Sequence, residues 1–524
     1  FRSMASPTTV LVAAAYGSHG DVQPMYALAI ALARKPNTRV HFFVSSKHAD
    51  RLAARQDATM LHEVIVVQEP DVDDKWSPGK WEGAMKGPKA IARRWLLTAR
   101  PLYALMQARI ATSGSTVIVA HPLNFAARLL HDATGLPYAT VALAPWLMRS
   151  RTQCYGWPLV SGGSWTPAWI KEMGYYVIDL LIDSLVVPGE LGLRSMYDDL
   201  VAVDNVPSSS TQQEEEQERE GSSSSVTITI TCTDANNTTR PIPPPPRRIL
   251  DRWFHSPMRI LALWPSWYYP QQPDWPTQLV NCGGFPLFDE KNDDDDLGSE
   301  EVASFVKTCV DDKAPLLVVT PGTTNPLLCT TAFFDAALGA AQEAASSSRP
   351  GTQTTTIPVR VLLLTPHKDA VLATNRYEAM HARGEALHAS YAPLSGVLAH
   401  AKHAALVHHG GIGTVAQALR CGVPSVVLAN AFDQFDNAWA VAEHLKCGVR
   451  PSAKAFVKDA DVAASSVRAV LELDSIYRTR AQEVSARIAE DSNGRTTIDR
   501  AADAVLALTT ADAAAASLDK EEEA

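Results

Sequence analysis

The sequence predicts an α/β protein made of two doubly wound domains that face each other across a cleft. Three observations lead to this fold class. Short apolar runs alternate with segments whose apolar residues have helical spacing. The alternation restarts after an acidic segment, and each half contains a Gly-bearing loop that follows a strand and opens a helix. We expect domains at 1–285 and 313–490, a linker at 286–312, and a C-terminal helix with a frayed tail at 491–524.

The first domain opens with a strand, a Gly-bearing loop and a helix. Residues 10–15 are a short apolar run, which predicts a buried strand. Residues 24–34 are predicted as a helix because Pro24 suits a first helical turn. A second strand–helix–strand unit is predicted at 115–141, with Gly135 as the stop of its helix.

The composition excludes some classes of function. The net charge of −10 argues against nucleic acid as the main partner, because binding phosphate chains needs clustered Lys and Arg. The seven cysteines are odd in number and none has C-x-x-C spacing, so a reducing cytosol is the expected compartment. We see no secretory signal and no apolar run of the roughly 20 residues that a spanning helix needs. A cytoplasmic protein is therefore expected, with peripheral membrane contact left open.

Two segments are distinguished by their composition, and neither is predicted to contain functional residues. Residues 208–246 are rich in Ser, Glu and Pro and cannot bury enough apolar surface, so we predict a disordered insertion. The four aspartates at 293–296 are interpreted as a solvated charge run, because nothing in the pattern positions them around a metal. No metal site is predicted.

Aromatic residues crowd the segment that follows the second unit. They include Trp146, Trp157 and Trp165, and Phe125 stands at the start of a predicted helix nearby in the chain. Such side chains pack in a core or line a pocket for an apolar molecule, and both interpretations stay open. We take these four residues as candidates for binding an apolar ligand.

The second domain contains the segment with the clearest chemistry. A predicted strand at 405–408 runs into His408-His409-Gly410-Gly411-Ile412-Gly413-Thr414, which opens a helix. Glycines allow backbone N–H groups to approach a ligand, and a helix N-terminus favours a diphosphate. His409 and Thr414 add donors to phosphate oxygens, while Asp433 and Gln434 follow the next strand and suit sugar hydroxyls. A dehydrogenase-type dinucleotide loop or a plain tight turn are the alternatives.

Several segments together resemble a known family. Tyr391–Leu394, Val407–Gln417, Gly422–Pro424 and Asp433–Ala438 resemble the donor-binding signature of family 1 UDP-glycosyltransferases, which have the GT-B fold of two facing Rossmann-like domains. Two further similarities point to enzymes with hydrophobic acceptors. Gly17–Pro24 resembles the N-terminal loop of sterol and glycopeptide glycosyltransferases. The segments 253–257, 274–276 and 284–289 resemble the rhamnosyltransferase subunit of rhamnolipid synthesis.

This resemblance implies roles for individual residues of the donor site. Tyr391 falls where an aromatic side chain stacks on uracil, and the Ala392 backbone falls where it pairs with the edge of the base. Gln417 stands where many members have a ribose-binding Glu, and Gly413 replaces a common Asn. The implied diphosphate contacts come from His409, Gly411, Gly413 and Thr414, helped by Gly322 and Thr323, and the implied sugar contacts from Asp433 and Gln434.

The catalytic base departs from the family pattern. Many members use a His in the N-terminal loop, assisted by an Asp that follows a later strand. Here Asp21 stands at the His position, and His121 stands at the Asp position. We predict Asp21 as the base, aided by His121, with His19 as the competing candidate. Helix capping by Asp21 and purely structural roles for both histidines are the bland alternatives.

The predicted function is transfer of a sugar, with inversion, from UDP-glucose to a hydroxyl of a hydrophobic acceptor such as a lipid, sterol or polyphenol. The UDP-sugar is then a co-substrate, and no permanently bound cofactor is expected. Two alternatives stay open: a dTDP-rhamnose-dependent lipid rhamnosyltransferase, and a partner subunit that binds nucleotide sugars without turnover.

Overall fold

The computed structural model of the chain describes twelve stretches of the sequence. They are 6–17, 19–70, 86–145, 148–153, 167–204, 247–286, 297–322, 328–346, 358–401, 403–431, 433–491 and 495–509. The insertion predicted at 208–246 and the tail beyond 509 lie outside the described residues.

In the described part of the N-terminal half, seven parallel strands form one sheet. These are β1 (Thr8–Ala14), β2 (Thr38–Ser45), β3 (Glu63–Val67), β4 (Thr116–Ala120), β5 (Tyr138–Ala142), β6 (Arg259–Ala262) and β7 (Leu279–Asn281). Their spatial order is β3-β2-β1-β4-β5-β6-β7. The chain therefore reverses its direction of travel across the sheet between β1 and β4, which are hydrogen-bonded neighbours.

The described part of the first 204 residues contains six helices. They are α1 (His19–Ala33), α2 (Ser46–Ala53), α3 (Lys86–Gln107), α4 (Phe125–Thr134), α5 (Ala168–Val186) and α6 (Leu193–Asp204). The strands β1, β4 and β5 are almost continuously apolar and buried, as the inner parallel strands of a sheet between two helix layers must be.

The described residues of the C-terminal half repeat the architecture with six parallel strands. These are β8 (Leu316–Thr320), β9 (Arg360–Leu364), β10 (Ala386–Ala389), β11 (Ala404–His408), β12 (Ser425–Val427) and β13 (Gly448–Val449). Their order is β10-β9-β8-β11-β12-β13, so the reversal lies between β8 and β11. Two reversals of this kind are what the predicted pair of doubly wound domains requires.

The helices of this half begin before its first strand. They are α7 (Glu300–Asp311), α8 (Thr331–Ser346), α9 (Lys368–Leu372), α10 (Asn375–Ala382), α11 (Leu394–His400), α12 (Ile412–Arg420), α13 (Gln434–Trp439), α14 (Ala453–Lys458), α15 (Ala460–Leu471), α16 (Ile476–Asp491) and α17 (Thr497–Leu506). Short 3-10 turns (Gln56–Met60, Ala507–Thr509) and π turns (Ile249–Trp253, Ala440–His444) complete the described elements.

Most predicted elements agree with the structure, but one boundary matters for function and was wrong. The helix predicted to begin at Pro24 begins at His19, so Pro24 lies inside α1. Asp21 consequently lies in the first turn of α1, where the positive end of the helix dipole stabilises a carboxylate. Gly135 ends α4 with φ 68°, as predicted.

Two terminal segments clarify how the halves are joined. Residues 300–311 fall in the segment predicted as a linker, yet they form α7, whose Val302 and Val306 pack into the core of the C-terminal sheet. Helix α17, which falls in the predicted C-terminal segment, returns to pack against α1. One apolar cluster contains residues of α1, α12, α16 and α17, so the two halves share a continuous core at this seam. The domain limits themselves stay a prediction.

Candidate active site

The two reversal points bring the predicted site residues together in pairs. In an open parallel sheet, ligands bind outside the carboxyl ends of the strands, where the strand order reverses. Asp21 follows β1 and His121 follows β4, and these strands are neighbours. Gly322 follows β8 and His409 follows β11, and these strands are neighbours in the second sheet.

Asp21 and His121 form a contact between the first and fourth strand ends. His121 Nε2 lies 3.8 Å from Asp21 Oδ1, and the two side chains are 7% and 29% exposed. His121 Nδ1 accepts a bond from the backbone N–H of Leu123 at 3.4 Å, which places the ring proton on Nε2, facing the carboxylate. Burial lowers the pKa of His121, and the negative charge of Asp21 offsets part of this effect.

Backbone contacts hold the loop that carries Asp21. The N–H of Tyr16 donates to Asn124 Oδ1 at 3.1 Å, and the Asn124 amide donates to the His121 carbonyl at 3.3 Å. Gly17 has φ 132°, and a Cβ at this position would lie 2.6 Å from the Cβ of Asp21. Only glycine therefore allows the loop to approach Asp21 this closely.

The ring of His409 lies between two glycines of the C-terminal half. A Cβ at Gly322, whose φ is 75°, would lie 2.5 Å from His409 Cε1. A Cβ at Gly411 would lie 2.5 Å from His409 Nε2. The loops after β8 and β11 thus enclose one imidazole, and His409 Nδ1 is buried without a hydrogen-bond partner among the described residues. A buried orphan nitrogen of this kind calls for a ligand or water partner.

Both histidines of the glycine turn are neutral at physiological pH. Burial lowers the pKa of His409 to about 4. Burial, with a smaller effect from His409, lowers the pKa of His408 to about 3. A neutral imidazole has one N–H donor and one acceptor nitrogen. His408 uses its Nδ1 within the turn, accepting from the N–H of Gly410 at 3.1 Å.

Helix α12 begins at the glycine turn, where the N-cap residue has no side chain. Gly411 is the N-cap residue, and no side-chain hydrogen bond is made from that position. A Cβ at Gly413 would meet nothing within 4 Å, so this side of the first turn is open. One turn further along, the buried Oε1 of Gln417 has no partner among the described residues. Thr414 is half-buried in the same turn.

Asp433 lies against the start of α12. Its carboxyl group accepts bonds from the Ile412 N–H and from Asn437 Nδ2, the latter at 2.9 Å. Burial, and after it the charge of Asp21, raise the pKa of Asp433 to about 7. Asp21 belongs to the other half of the chain, so the electrostatic environment of Asp433 includes a charge from the N-terminal half.

Gln434 is committed mainly to its own loop. Its Oε1 accepts from the backbone N–H groups of Asn430 and Ala431 at 3.0 and 3.1 Å. The sequence pattern predicted a sugar contact for this residue, and only its amide nitrogen has capacity for one.

The predicted base-stacking residue lies at the cleft surface. Tyr391 is 53% exposed, and the Arg51 guanidinium of α2 lies over its ring, 4.7 Å from the centroid. Ala392 is buried next to it. The sequence analysis missed Arg51, because no local signal connects a residue of α2 with one 340 positions further on.

The structure describes one of the four predicted acceptor residues. Trp146, Trp157 and Trp165 lie outside the described residues. Phe125 is 2% exposed and packs edge-on against Trp253, with a centroid separation of 5.2 Å. Thr323 and the side chain of His19 also lie outside the described part of the chain.

Membrane-spanning helices and metal-binding clusters are both absent from the described residues. No described helix is both long and apolar enough to cross a membrane. No group of three or more His, Cys, Asp or Glu side chains among these residues is placed to hold a metal ion.

Comparison with known proteins is consistent with this geometry. Residues 371–502 match the family described as erythromycin biosynthesis protein CIII-like, C-terminal domain. No curated protein sequence gives a significant match.

Solved structures show the same fold over nearly the whole chain. A glycotransferase of kitacinnamycin has 15% identity and a TM-score of 0.58, covering 97% of this chain and 100% of its own. The calicheamicin glycosyltransferase CalG4 has 17% identity and a TM-score of 0.55, with coverages of 97% and 100%. A Medicago truncatula enzyme complexed with UDP-glucose has 13% identity and a TM-score of 0.57, with coverages of 97% and 99%. The predicted two-domain GT-B fold is confirmed.

Proposed function

We propose that this chain, whose fold and C-terminal domain are those of GT-B glycosyltransferases, moves a sugar from a nucleoside diphosphate to a hydroxyl of a hydrophobic acceptor, with inversion. The observation that carries the proposal is the meeting of the two reversal points. Asp21 and His121 of one sheet lie close enough to the glycine turn of the other for Asp21 to affect the pKa of Asp433. A proton acceptor and a diphosphate cradle thus face one cleft.

The C-terminal half supplies the donor site in this proposal. The open first turn of α12 receives the diphosphate, because its free N–H groups and dipole favour negative charge. The neutral imidazole of His409 donates to a phosphate oxygen, which satisfies its orphaned ring nitrogen. Gln417 has an unpartnered Oε1 for a ribose hydroxyl, and the Asp433 carboxylate accepts from a sugar hydroxyl.

The N-terminal half supplies the base. Asp21 is the more exposed member of the pair and faces the cleft, while His121 lies buried behind it. As the acceptor oxygen bonds to the anomeric carbon, its proton passes to an Asp21 oxygen and the bond from that carbon to the diphosphate oxygen breaks. The departing nucleoside diphosphate takes the electron pair, and the α12 N-terminus with His409 stabilises its charge. The Nε2–H of His121 orients the Asp21 carboxylate.

Exposed apolar residues support a hydrophobic acceptor. Trp169, Met173, Tyr176, Val177 and Leu180 recur at helical spacing along α5 and are between 51% and 61% exposed. A contiguous apolar stripe of this kind on a protein surface marks a binding surface. The donor sugar is taken as glucose carried by UDP, which is supported by similar folds solved with UDP-glucose and with UDP.

The proposal is tested in two steps on the full chain. Calorimetry and thermal shift with UDP and dTDP identify the nucleotide, and we expect binding of UDP. Incubation with UDP-glucose and a panel of lipid, sterol and polyphenol acceptors, read by mass spectrometry, should then give products heavier by one hexose. Binding of dTDP alone defeats the choice of donor. Binding of UDP without any product across the panel favours the non-catalytic binder.

Tyr391 provides a prediction about the base site. Replacing Tyr391 with alanine is expected to weaken UDP binding by about 5- to 150-fold, because stacking on an aromatic ring is worth about 1–3 kcal/mol per base. Tyr391→Trp should bind UDP at least as well as the wild type. Arg51 covers one face of the ring, and a base that stacks there must displace it.

Arg51→Ala therefore has an expected effect of opposite sign. Losing an exposed cation–π contact of about 0.5–1 kcal/mol should tighten UDP binding by roughly two- to fivefold. Calorimetry at matched ionic strength measures both effects. The matched control is Arg480→Ala, which removes a surface ion pair with Glu483 on α16. Weaker binding by Arg51→Ala would instead show that the guanidinium stays on the bound nucleotide.

A further inference from the structure

One buried amide joins the two halves of the chain at the donor site. Asn437 of α13 is fully buried. Its Oδ1 accepts from the hydroxyls of Tyr268 and Tyr269 at 3.0 and 2.6 Å, and its Nδ2 donates to the Gly410 carbonyl at 2.8 Å and to Asp433 Oδ2 at 2.9 Å. Both tyrosines follow β6 in the N-terminal half, and all four capacities of the amide are used.

The chemistry of these partners determines the orientation of the amide. The Gly410 carbonyl can only accept, so the NH2 group of Asn437 must face it. That leaves the amide oxygen toward the tyrosines, whose hydroxyls stay protonated; burial raises the pKa of Tyr268 well above its usual value. A flipped amide would place its oxygen against the carbonyl oxygen. The network therefore has one arrangement.

Both groups held by the NH2 belong to the donor site. Gly410 has φ 91°, and a Cβ there would lie 2.8 Å from Val427 Cγ1, so the turn is closely packed as well as hydrogen-bonded. Asp433 bonds to Asn437 and to the first N–H of α12. Since Asn437 bonds to both, it controls the distance between the glycine turn and the carboxyl group.

We propose that Asn437 is a positioning residue of the donor site, through which Tyr268 and Tyr269 of the N-terminal half hold the Asp433 carboxylate and the Gly410 turn in register. The inference rests on the proposed function, because it gives Asp433 a ligand to meet. It goes further in making the geometry of the nucleotide site depend on contact between the two halves. The sequence motif contains Asn437, but only the fold brings the tyrosines to it.

The junction also affects the charge on Asp433. The hydrogen bond from Asn437 lowers the pKa of Asp433, against the larger raising effects of burial and Asp21. The other titratable groups at this junction are Asp436 of α13, Tyr268, Tyr269 and Cys447. The carboxylate accepts from a sugar hydroxyl, so donor use increases as the pH rises through the pKa of Asp433. Loss of the Asn437 donor raises that pKa and moves the acid limb of activity to higher pH.

The experiment compares Asn437→Ala with the double variant Tyr268→Phe/Tyr269→Phe. Misplacement of catalytic groups by about 1 Å costs about 10²-fold, so we expect kcat/KM for the donor to fall by about that factor in Asn437→Ala. The double variant keeps both rings and removes only the hydroxyls, so it should fold if the alanine variant does not. We expect both variants to show weaker UDP binding and an acid limb displaced to higher pH.

The control is Tyr197→Phe, which removes another buried hydroxyl of the N-terminal half, one that bonds to Asp132 away from the cleft. It should lower the melting temperature without moving the acid limb or the UDP affinity. If the junction variants behave like this control, the role is merely structural and the inference is wrong. UDP binding is measured without an acceptor, so it tests the positioning role independently of sugar transfer. A protein that binds UDP but transfers no sugar would contradict the proposed function and leave this test valid.

Discussion

Replacement of Asp21 with asparagine is expected to lower kcat by about 10²–10⁴-fold, the usual contribution of a positioned general base. The substitution keeps the size of the side chain and removes its ability to take a proton from the acceptor. UDP affinity should change little, because the diphosphate contacts come from the other half of the chain. Steady-state rates with a confirmed acceptor, together with calorimetry for UDP, separate the two effects.

Asp21→Asn is also expected to change the pH dependence of activity in a defined direction. The negative charge of Asp21 is the second largest cause of the raised pKa of Asp433. Asp21→Asn removes that charge and lowers the pKa of Asp433, so the acid limb of the residual activity should move to lower pH. This direction is opposite to that expected for the Asn437 variants, and it distinguishes loss of the charge from a general disturbance of the cleft.

His19 and His121 provide the comparison that identifies the base. His121→Gln should reduce kcat less than Asp21→Asn, because His121 is buried behind the carboxylate and only orients it. His19→Ala should leave most of the activity. A large loss in His19→Ala, with near-normal turnover in Asp21→Asn, would transfer the role of base to His19.

Replacement of His409 with alanine is expected to cost about 10²–10³-fold in kcat, the usual effect of removing one preorganised donor to developing charge. Its imidazole is neutral, with a pKa lowered to about 4, and its buried Nδ1 has no hydrogen-bond partner among the described residues. UDP binding should weaken as well, since the contact exists before the sugar leaves. Calorimetry and single-turnover rates distinguish the ground-state contribution from that made in the transition state.

The glycines around His409 provide a second test of the role of its imidazole. Gly322→Ala forces a methyl group to within 2.5 Å of the ring at a backbone φ of 75°, so it should displace the imidazole and reproduce much of the loss. Gly339→Ala is the matched control, because it lies in α8 and its new Cβ would meet only the flexible Arg376 guanidinium. Full activity in both His409→Ala and Gly322→Ala contradicts the proposed role of the imidazole.

Local patterns predicted much of the architecture. The strand predicted at 405–408 is the observed β11, which begins one residue earlier at Ala404, and Gly135 stops α4 as its chemistry requires. These features depend on a few adjacent residues. The start of helix α1 was predicted less well. Pro24 is typical of a first helical turn, but the turn at Gly17 allows the helix to begin earlier, at His19. The competing signals lie within one loop, and packing around Asp21 decides between them.

The candidate site also has a part that local patterns predict and a part that they do not. Its strand-end residues are predictable because a Gly-rich turn, a loop carboxylate and a strand-end histidine each have a local signature. His409 and Asp433 were predicted from the glycine turn and the strand that follows it, whereas Asp21 and His121 were predicted from the family resemblance. The structure brings these residues to the two reversal points. Tyr268, Tyr269 and Arg51 were not predicted from the sequence.

What the sequence by itself determined is therefore the type of fold and the chemical groups, since both follow from short-range periodicity and turn chemistry. Only the tertiary structure decided their relationships. Asn437 bonds to Tyr268 and Tyr269 from some 168 positions away, and Arg51 covers Tyr391 from the opposite half. The raised pKa of Asp433 likewise depends on burial and on a charge more than 400 residues away in the chain. Burial, electrostatic effects and hydrogen bonds depend on distance in space, and spacing along the chain does not encode that distance.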